Sequence, residues 1–141
     1  LRSDVERKAL FRVGGTDRLP ERGYSVETTA RVYTLLAEKA RRVTAAGYSV
    51  IVDAVFAEPA ERAAIAKSAN GVPFQGLFLT TGLETRIARV SSRSGDASDA
   101  GTAVARKQED FDLGHITWSK VDASGTPDET LLRAEAMLGL K

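Results

Sequence analysis

Asp4 and Arg7 stand one helical turn apart in Ser3-Asp4-Val5-Glu6-Arg7-Lys8, a stretch that reads as the exit of a strand into a helix. Asp53 closes the apolar run Tyr48-Ser49-Val50-Ile51-Val52, and Arg86, Arg89 and Arg93 recur at helical spacing further along. A carboxylate can hold or deprotonate a hydroxyl group, or hold a hydrated magnesium ion, and the planar fork of arginine grips phosphate oxygens. The chemistry within reach of such a set is phosphoryl transfer. It requires a carboxylate at the acceptor, cations on the moving phosphoryl group, a magnesium ion and a cradle for the nucleotide phosphates. Candidates for the first three are present. The cradle is not: none of the twelve glycines is followed by lysine, so no G-x-x-x-x-G-K-[ST] occurs. The Gly14-Gly15 pair runs into Thr16-Asp17, which is turn chemistry.

Each residue also has a plainer reading. Ser3 with Glu6 has the form of a capping box, and an aspartate in a first helical turn is favoured by the helix dipole. Asp53 can cap the turn that follows its strand. Arginines at helical spacing usually form a solvated face. Ser124-Gly125 can be a simple lead into a helix capped by Thr126. Arg106, Lys107 and Gln108 carry little weight, His115 reads as a surface or loop histidine, and Trp118 reads as core or lid packing.

Composition limits the alternatives. The chain has 141 residues, a one-domain length, with 43% hydrophobic and 28% charged residues and a net charge of +1. No global field would draw it onto nucleic acid or an anionic membrane, so any anion affinity is local. The absence of cysteine removes disulfides and thiolate metal sites, and one histidine leaves no zinc cluster. No apolar run approaches the ~18 residues of a membrane span, and no signal pattern is present. The expected address is the cytoplasm. The aromatic residues are scattered, without the basic stripe of a nucleic-acid-binding module.

The elements that must position these residues follow from spacing. Val26, Ala30, Tyr33, Ala37, Ala40 and Val43, with Leu36 beside them, mark an amphipathic helix stopped by Gly47. Tyr48 to Asp53 and Gly76 to Thr80 read as buried parallel strands. Pro59 opens a helix closed by Asn70-Gly71. Thr81 and Glu84 have the form of a capping box on a helix that carries Leu83, Ile87 and Val90 on one face. Residues 91–102 read as a mobile bridge before a polar helix around 103–110. Val121 to Ser124 reads as a last strand, and Thr126-Pro127-Asp128-Glu129 as the capped start of a last helix. Strand and helix in alternation imply an α/β fold with a parallel sheet, its ligand crevice at the carboxyl ends of the strands. Asp4, Asp53 and the loop after Ser124 all fall at that edge.

The stretches LRSDVERK, AAGYSVIVDAVF, RIARVSSRSGDASDA and VDASGTPDETL resemble, in order, the P-loop kinase-like domain related to polynucleotide kinase and gluconate kinase. In bacterial proteins that domain often follows an aminoglycoside-phosphotransferase-like domain. The resemblance implies a three-layer P-loop NTPase-like parallel sheet, here a single domain over 1–141 with its lid at about 89–110. Its first strand and phosphate loop are expected to be missing from this chain, which starts with leucine. In the family that strand is central, with the second and third strands on one side and the fourth and fifth on the other.

By the same resemblance Asp4 serves the acceptor hydroxyl, Arg7 contacts an acceptor phosphate or orients Asp4, and Asp53 holds magnesium. Arg89 and Arg93 close over the phosphates, and Ser124 and Gly125 pack on adenine. ATP and magnesium are the implied cofactors of the complete domain, with no tight binding expected of this chain. The implied acceptor is a small molecule or a nucleic-acid end. Association through the edge left by the missing strand, or a fused N-terminal phosphotransferase-like domain, is the expected partner, and no membrane is. The competing expectation is a non-catalytic interaction or regulatory module that keeps the fold without binding nucleotide.

Overall fold

A computed structural model describes residues Leu1–Leu140. They form two compact units, one of residues 1–73 with 94–99 and the other of residues 74–93 with those from 100 onward.

In the first unit, α1 (Ser3–Phe11) follows a short extended lead, a 3-10 turn spans Glu21–Tyr24, α2 covers Val26–Ala45 and α3 covers Pro59–Ser68. The Ser25 hydroxyl accepts the Thr28 N–H at the start of α2, and Gly47, at φ +86°, turns the chain away beyond its end. Helix α2 packs against both α1 and α3. Its fully buried positions are Val32, Leu36 and Ala40, joined in the core by Leu19, Phe56 and Ile65. The buried stripe is therefore rotated from the one expected, and Val26, in the first turn, is exposed.

Helix α1 is unusual in what it buries: Glu6, Arg7 and Lys8, three consecutive charged residues. Successive residues on a helix point in different directions, so one solvated face could not hold all three. Each finds its own partner instead, as a buried charge must. Glu6 takes Lys39 at 2.6 Å, Arg7 donates to the Gly23 carbonyl at 2.8 Å, and Lys8 takes Asp99 at 3.1 Å. No Ser3–Glu6 capping box forms, because the helix starts at Ser3 itself behind Arg2 and Glu6 is committed to Lys39.

Tyr48–Asp53 is extended but is not the buried strand that its composition suggests; Ile51 is 85% exposed and Tyr48 71%. Only its last residues are paired. Leu1 donates its amino group to the Ile51 carbonyl and accepts the Asp53 N–H, both at 2.8 Å, and Ser3 N–H reaches the Asp53 carbonyl at 2.9 Å. Arg2 and Asp53 thereby form a parallel bridge. The backbone groups of Val50 and Val52 have no partner among the described residues. A strand is made by its neighbours as much as by its side chains.

In the second unit, β1 (Leu77–Thr80) runs parallel to β2 (Ser119–Asp122), in register from Leu77 with Ser119 to Thr80 with Asp122. Between them lie α4 (Leu83–Ser92), α5 (Thr102–Lys107) and a 3-10 turn at Gln108–Asp110; α6 (Pro127–Leu138) follows and packs on β2. Val121 and Ala123 are the buried centre, with Ala105 of α5 also buried. Helix α6 has the expected box: Thr126 Oγ1 accepts the Glu129 N–H and Glu129 accepts the Thr126 N–H at 2.7 Å. Helix α4 lacks the one expected, since Gly82 occupies its N-cap and Thr81 bonds to Ser124 instead.

Each strand pair joins strands that the expected order makes neighbours, and both units combine parallel pairing with helices, as an α/β fold does. Gly76 marks a close approach within the second unit, where a Cβ would collide with the ring of Trp118, itself tilted against Phe74 at 6.0 Å. Gly76→Ala is expected to lower stability by about 1–3 kcal/mol, the usual cost of overpacking, read as a fall in the urea midpoint at constant m-value.

Candidate functional site

In the first unit the backbone pairing of Leu1–Ser3 with Ile51–Asp53 brings Asp53 level with Arg2, two residues before Asp4 in the first turn of α1. Asp4 is half-buried, and its side chain makes no hydrogen bond among the described residues. Asp53 is exposed, and Arg2 Nε lies 3.3 Å from its Oδ2. Arg2 also reaches Asp96 Oδ1 at 2.9 Å, and this bond, with the nearby charges of Asp53 and Asp4, raises its already high pKa. Arg2 was not among the expected site residues. The signal available was its place between two strand-end carboxylates, which the pairing alone reveals.

The loop after Asp53 is held firmly. Phe56 is buried at φ +47°, a left-handed conformation that costs a bulky residue energy. Its N–H donates to the Tyr33 hydroxyl at 3.0 Å, and its carbonyl accepts from buried Arg62 at 2.7 Å, which also serves the Ala57 carbonyl at 2.7 Å. The Tyr33 ring meets Phe56 edge-on at 5.3 Å. Burial pushes the Tyr33 hydroxyl up to about 12, so it stays protonated at neutral pH.

Arg7 sits where the expected role needs it in sequence but not in engagement. It is buried, donates to the Gly23 carbonyl and to Thr29 Oγ1 at 3.2 Å, and stacks over the Tyr24 ring at 5.3 Å. Its work in this structure is to fix the 3-10 turn against α1 and the start of α2.

The second unit groups the other candidates. Arg89 donates to the Ala123 carbonyl at 2.7 Å and the Gly125 carbonyl at 2.5 Å, so it grips the loop that contains Ser124 and Gly125. Ser124 N–H is held by Asp122 at 2.9 Å, and the Ser124 hydroxyl first, with this N–H, lowers the Asp122 pKa. Arg93 donates to the Ala100 carbonyl at 3.2 Å. Arg86 pairs with Glu109 in the 3-10 turn after α5. Arg106 and Lys107 are exposed, as is His115, and Gln108 is half-buried.

The residues fit the expected cofactors in part. Magnesium often keeps its waters and uses only one or two carboxylates together with substrate phosphates, which Asp53 can match. Among the described residues no group of three or more acidic or histidine side chains could cage an ion. For the nucleotide phosphates no glycine loop with lysine exists in the sequence. No described helix is long and apolar enough to cross a membrane.

A family model described as an AAA domain matches residues 1–112. No curated protein and no solved structure matches the chain.

Proposed function

The chain belongs to this AAA domain family, of P-loop NTPase-like kinase type, and from that we propose that it is the acceptor-bearing and lid-bearing part of an ATP-dependent phosphotransferase acting on a hydroxyl group. The observation that carries the reading is the parallel pairing of Arg2 with Asp53, which sets Asp53 level with the residue that leads into α1 and so into Asp4 in its first turn. An acceptor carboxylate and an ion-holding carboxylate belong at such an edge.

Asp4 would orient the acceptor hydroxyl and take its proton as the phosphoryl group is transferred. Asp53 would hold a hydrated magnesium ion once Arg2 turns to Asp96 alone. Arg89 and Arg93, released from backbone carbonyls, offer forks for phosphate oxygens. Magnesium ATP, when bound, supplies the phosphoryl group and screens its charge. The acceptor is a small molecule or a nucleic-acid end, and the setting we propose is the cytoplasm.

Among the described residues the backbone of Val50 and Val52 and the second edge of β1 have no strand partner and are open to strand addition. A strand leading into a phosphate loop, from the same polypeptide or from a partner, is the occupant that this reading requires; a fused phosphotransferase-like domain is compatible with it. Calorimetric titration with magnesium ATP provides the test. This chain alone is expected neither to bind it tightly nor to turn it over, and a longer polypeptide with that strand and loop is expected to do both. A longer polypeptide that carries the loop and still fails to bind sinks the kinase reading.

A second reading, a regulatory or interaction module without nucleotide binding, draws on the engagement of the cations. Arg7 is built into the core, Arg89 is spent on two carbonyls, and Arg2 occupies Asp53. The same titration separates the two readings.

A further inference from the structure

The chain holds a single asparagine, and glycine follows it: Asn70-Gly71, just beyond the end of α3. There the Val72 N–H donates to the Ala69 carbonyl at 3.1 Å, and the two residues between them stand at φ +49° and +93°. Those angles have the form of a type I′ turn, in which both central residues must be left-handed. Asparagine tolerates that region and glycine pays no steric penalty in it, so the pair suits the turn. It closes α3, and it also brings together the atoms of a reaction.

Both residues are exposed. Neither the Asn70 side-chain amide nor the Gly71 N–H has a hydrogen-bond partner among the described residues. The space beside Gly71 is open, with nothing within 4 Å of the point where a Cβ would stand. For the Gly71 nitrogen to meet Asn70 Cγ, the chain must rotate about the Asn70 Cα–C bond. The bond from Asn70 N–H to the Lys67 carbonyl, at 3.3 Å, lies before that rotation and is untouched by it. The Val72-to-Ala69 hydrogen bond spans it, and residues 73–75 make no backbone hydrogen bond among the described residues that would resist it. A lone exposed hydrogen bond opens readily, as those at frayed helix ends do.

We propose that Asn70 is a site of spontaneous covalent modification in the folded chain, deamidation through a cyclic imide with water as the co-reactant. The Gly71 nitrogen attacks Asn70 Cγ. An N–Cγ bond forms, the Cγ–Nδ2 bond breaks, and ammonia leaves with the proton that Gly71 gives up. Water then opens the five-membered ring, adding its hydroxyl to a carbonyl carbon and its proton to the nitrogen. Cleavage between the nitrogen and Cγ leaves aspartate. Cleavage between the nitrogen and the main-chain carbonyl carbon leaves isoaspartate, with the chain running through Cβ. Either product adds one negative charge, which takes the formal net charge from +1 to zero at neutral pH. A chain without net charge has the least electrostatic protection against association. The turn after α3 is thus a clock on solubility that involves neither nucleotide nor magnesium.

The test incubates the 141-residue chain at mildly alkaline pH, well below its Tm, beside a synthetic peptide of residues 65–75. Mass spectrometry of digests follows the exchange of NH₂ for OH at Asn70, and chromatography separates aspartate from isoaspartate. The folded chain is expected to react within about tenfold of the peptide's rate, the cost of opening one exposed hydrogen bond, and to give both products. Greater protection than that overturns the proposal, and aspartate without isoaspartate overturns the cyclic route. Asn70→Gln, which would have to close a larger ring, is expected to keep its amide over the same period; acidic species forming as fast in that variant place the change elsewhere and overturn the site. The converted chain is expected to be less soluble at neutral pH than Asn70→Gln held equally long, and equal solubility removes the clock. Because ATP takes no part, failure here leaves the kinase reading standing, and failure of magnesium ATP binding leaves this site standing.

Discussion

In a polypeptide that carries the phosphate loop, Asp4→Asn is expected to lower the rate of phosphoryl transfer by about 10²–10⁴-fold, the usual contribution of a positioned proton acceptor. The thermal unfolding of the same variant should be unchanged. This separation follows from the structure, in which the half-buried Asp4 side chain has no hydrogen-bond partner to lose among the described residues. Asparagine has nearly the same shape and cannot take a proton. Steady-state kinetics beside a melting curve decide the matter. A full rate with Asp4→Asn removes the residue from the chemistry, and a lower Tm with the rate loss makes its role structural.

The second large effect is on stability. Arg62→Ala removes the donor that serves both the Phe56 and Ala57 carbonyls and takes away one of the braces on the left-handed conformation of Phe56. Losing partners for buried carbonyls costs about 1–3 kcal/mol each, so a total of about 2–4 kcal/mol is expected. Urea unfolding measures it as a lower midpoint at constant m-value. The loop concerned starts at Asp53, so the same variant in a complete kinase should also raise the magnesium concentration needed for half-maximal rate. A variant as stable as the wild type would show that Phe56 holds its conformation through Tyr33 and its own burial.

These two residues show what could be read in advance. The place of Asp4 was legible, because the expected exit of a strand into a helix forms, with Arg2 paired to Asp53 and α1 starting at Ser3. The limits of α2 and the capped start of α6 were legible too, because caps and glycine stops act over four or five residues. Arg62 was invisible, since an arginine on a helix reads as solvated until the loop it braces has folded back on it. The same holds for Glu6, Arg7 and Lys8, whose partners Lys39, Gly23 and Asp99 are distant in sequence. Arg89 was expected with Arg93 over the phosphates, and its grip on the Ala123 and Gly125 carbonyls depends on a loop geometry that no spacing encodes. Tyr48–Asp53 was misjudged in burial for a related reason. Its β-branched residues describe a strand with two neighbours, and one side has none among the described residues.

Asp99 adds a link between protonation and structure. Burial raises its pKa, but the Tyr24 hydroxyl, the Leu19 amide and the Lys8 ammonium outweigh burial and leave it below the ordinary carboxylate value. Its stabilising contribution is therefore complete above the ordinary aspartate pKa and is lost only as the pH falls through the lowered folded value. The clasp on residues 94–99 is therefore held throughout the neutral range.

The half-paired Tyr48-Ser49-Val50-Ile51-Val52 also bears on how the protein must be handled. Four of its five residues have strong β preference, it carries no charge and no proline, and Tyr48 and Ile51 face water, which is the composition of a steric-zipper segment. Copies of it can stack in register through the unsatisfied amides of Val50 and Val52 and grow as cross-β fibrils. Asp53 is the one charged gatekeeper at its end, and Arg2 already neutralises it. A concentrated stock of this chain is thus a candidate amyloid former, and covering those amides is as much a matter of colloidal survival as of catalysis.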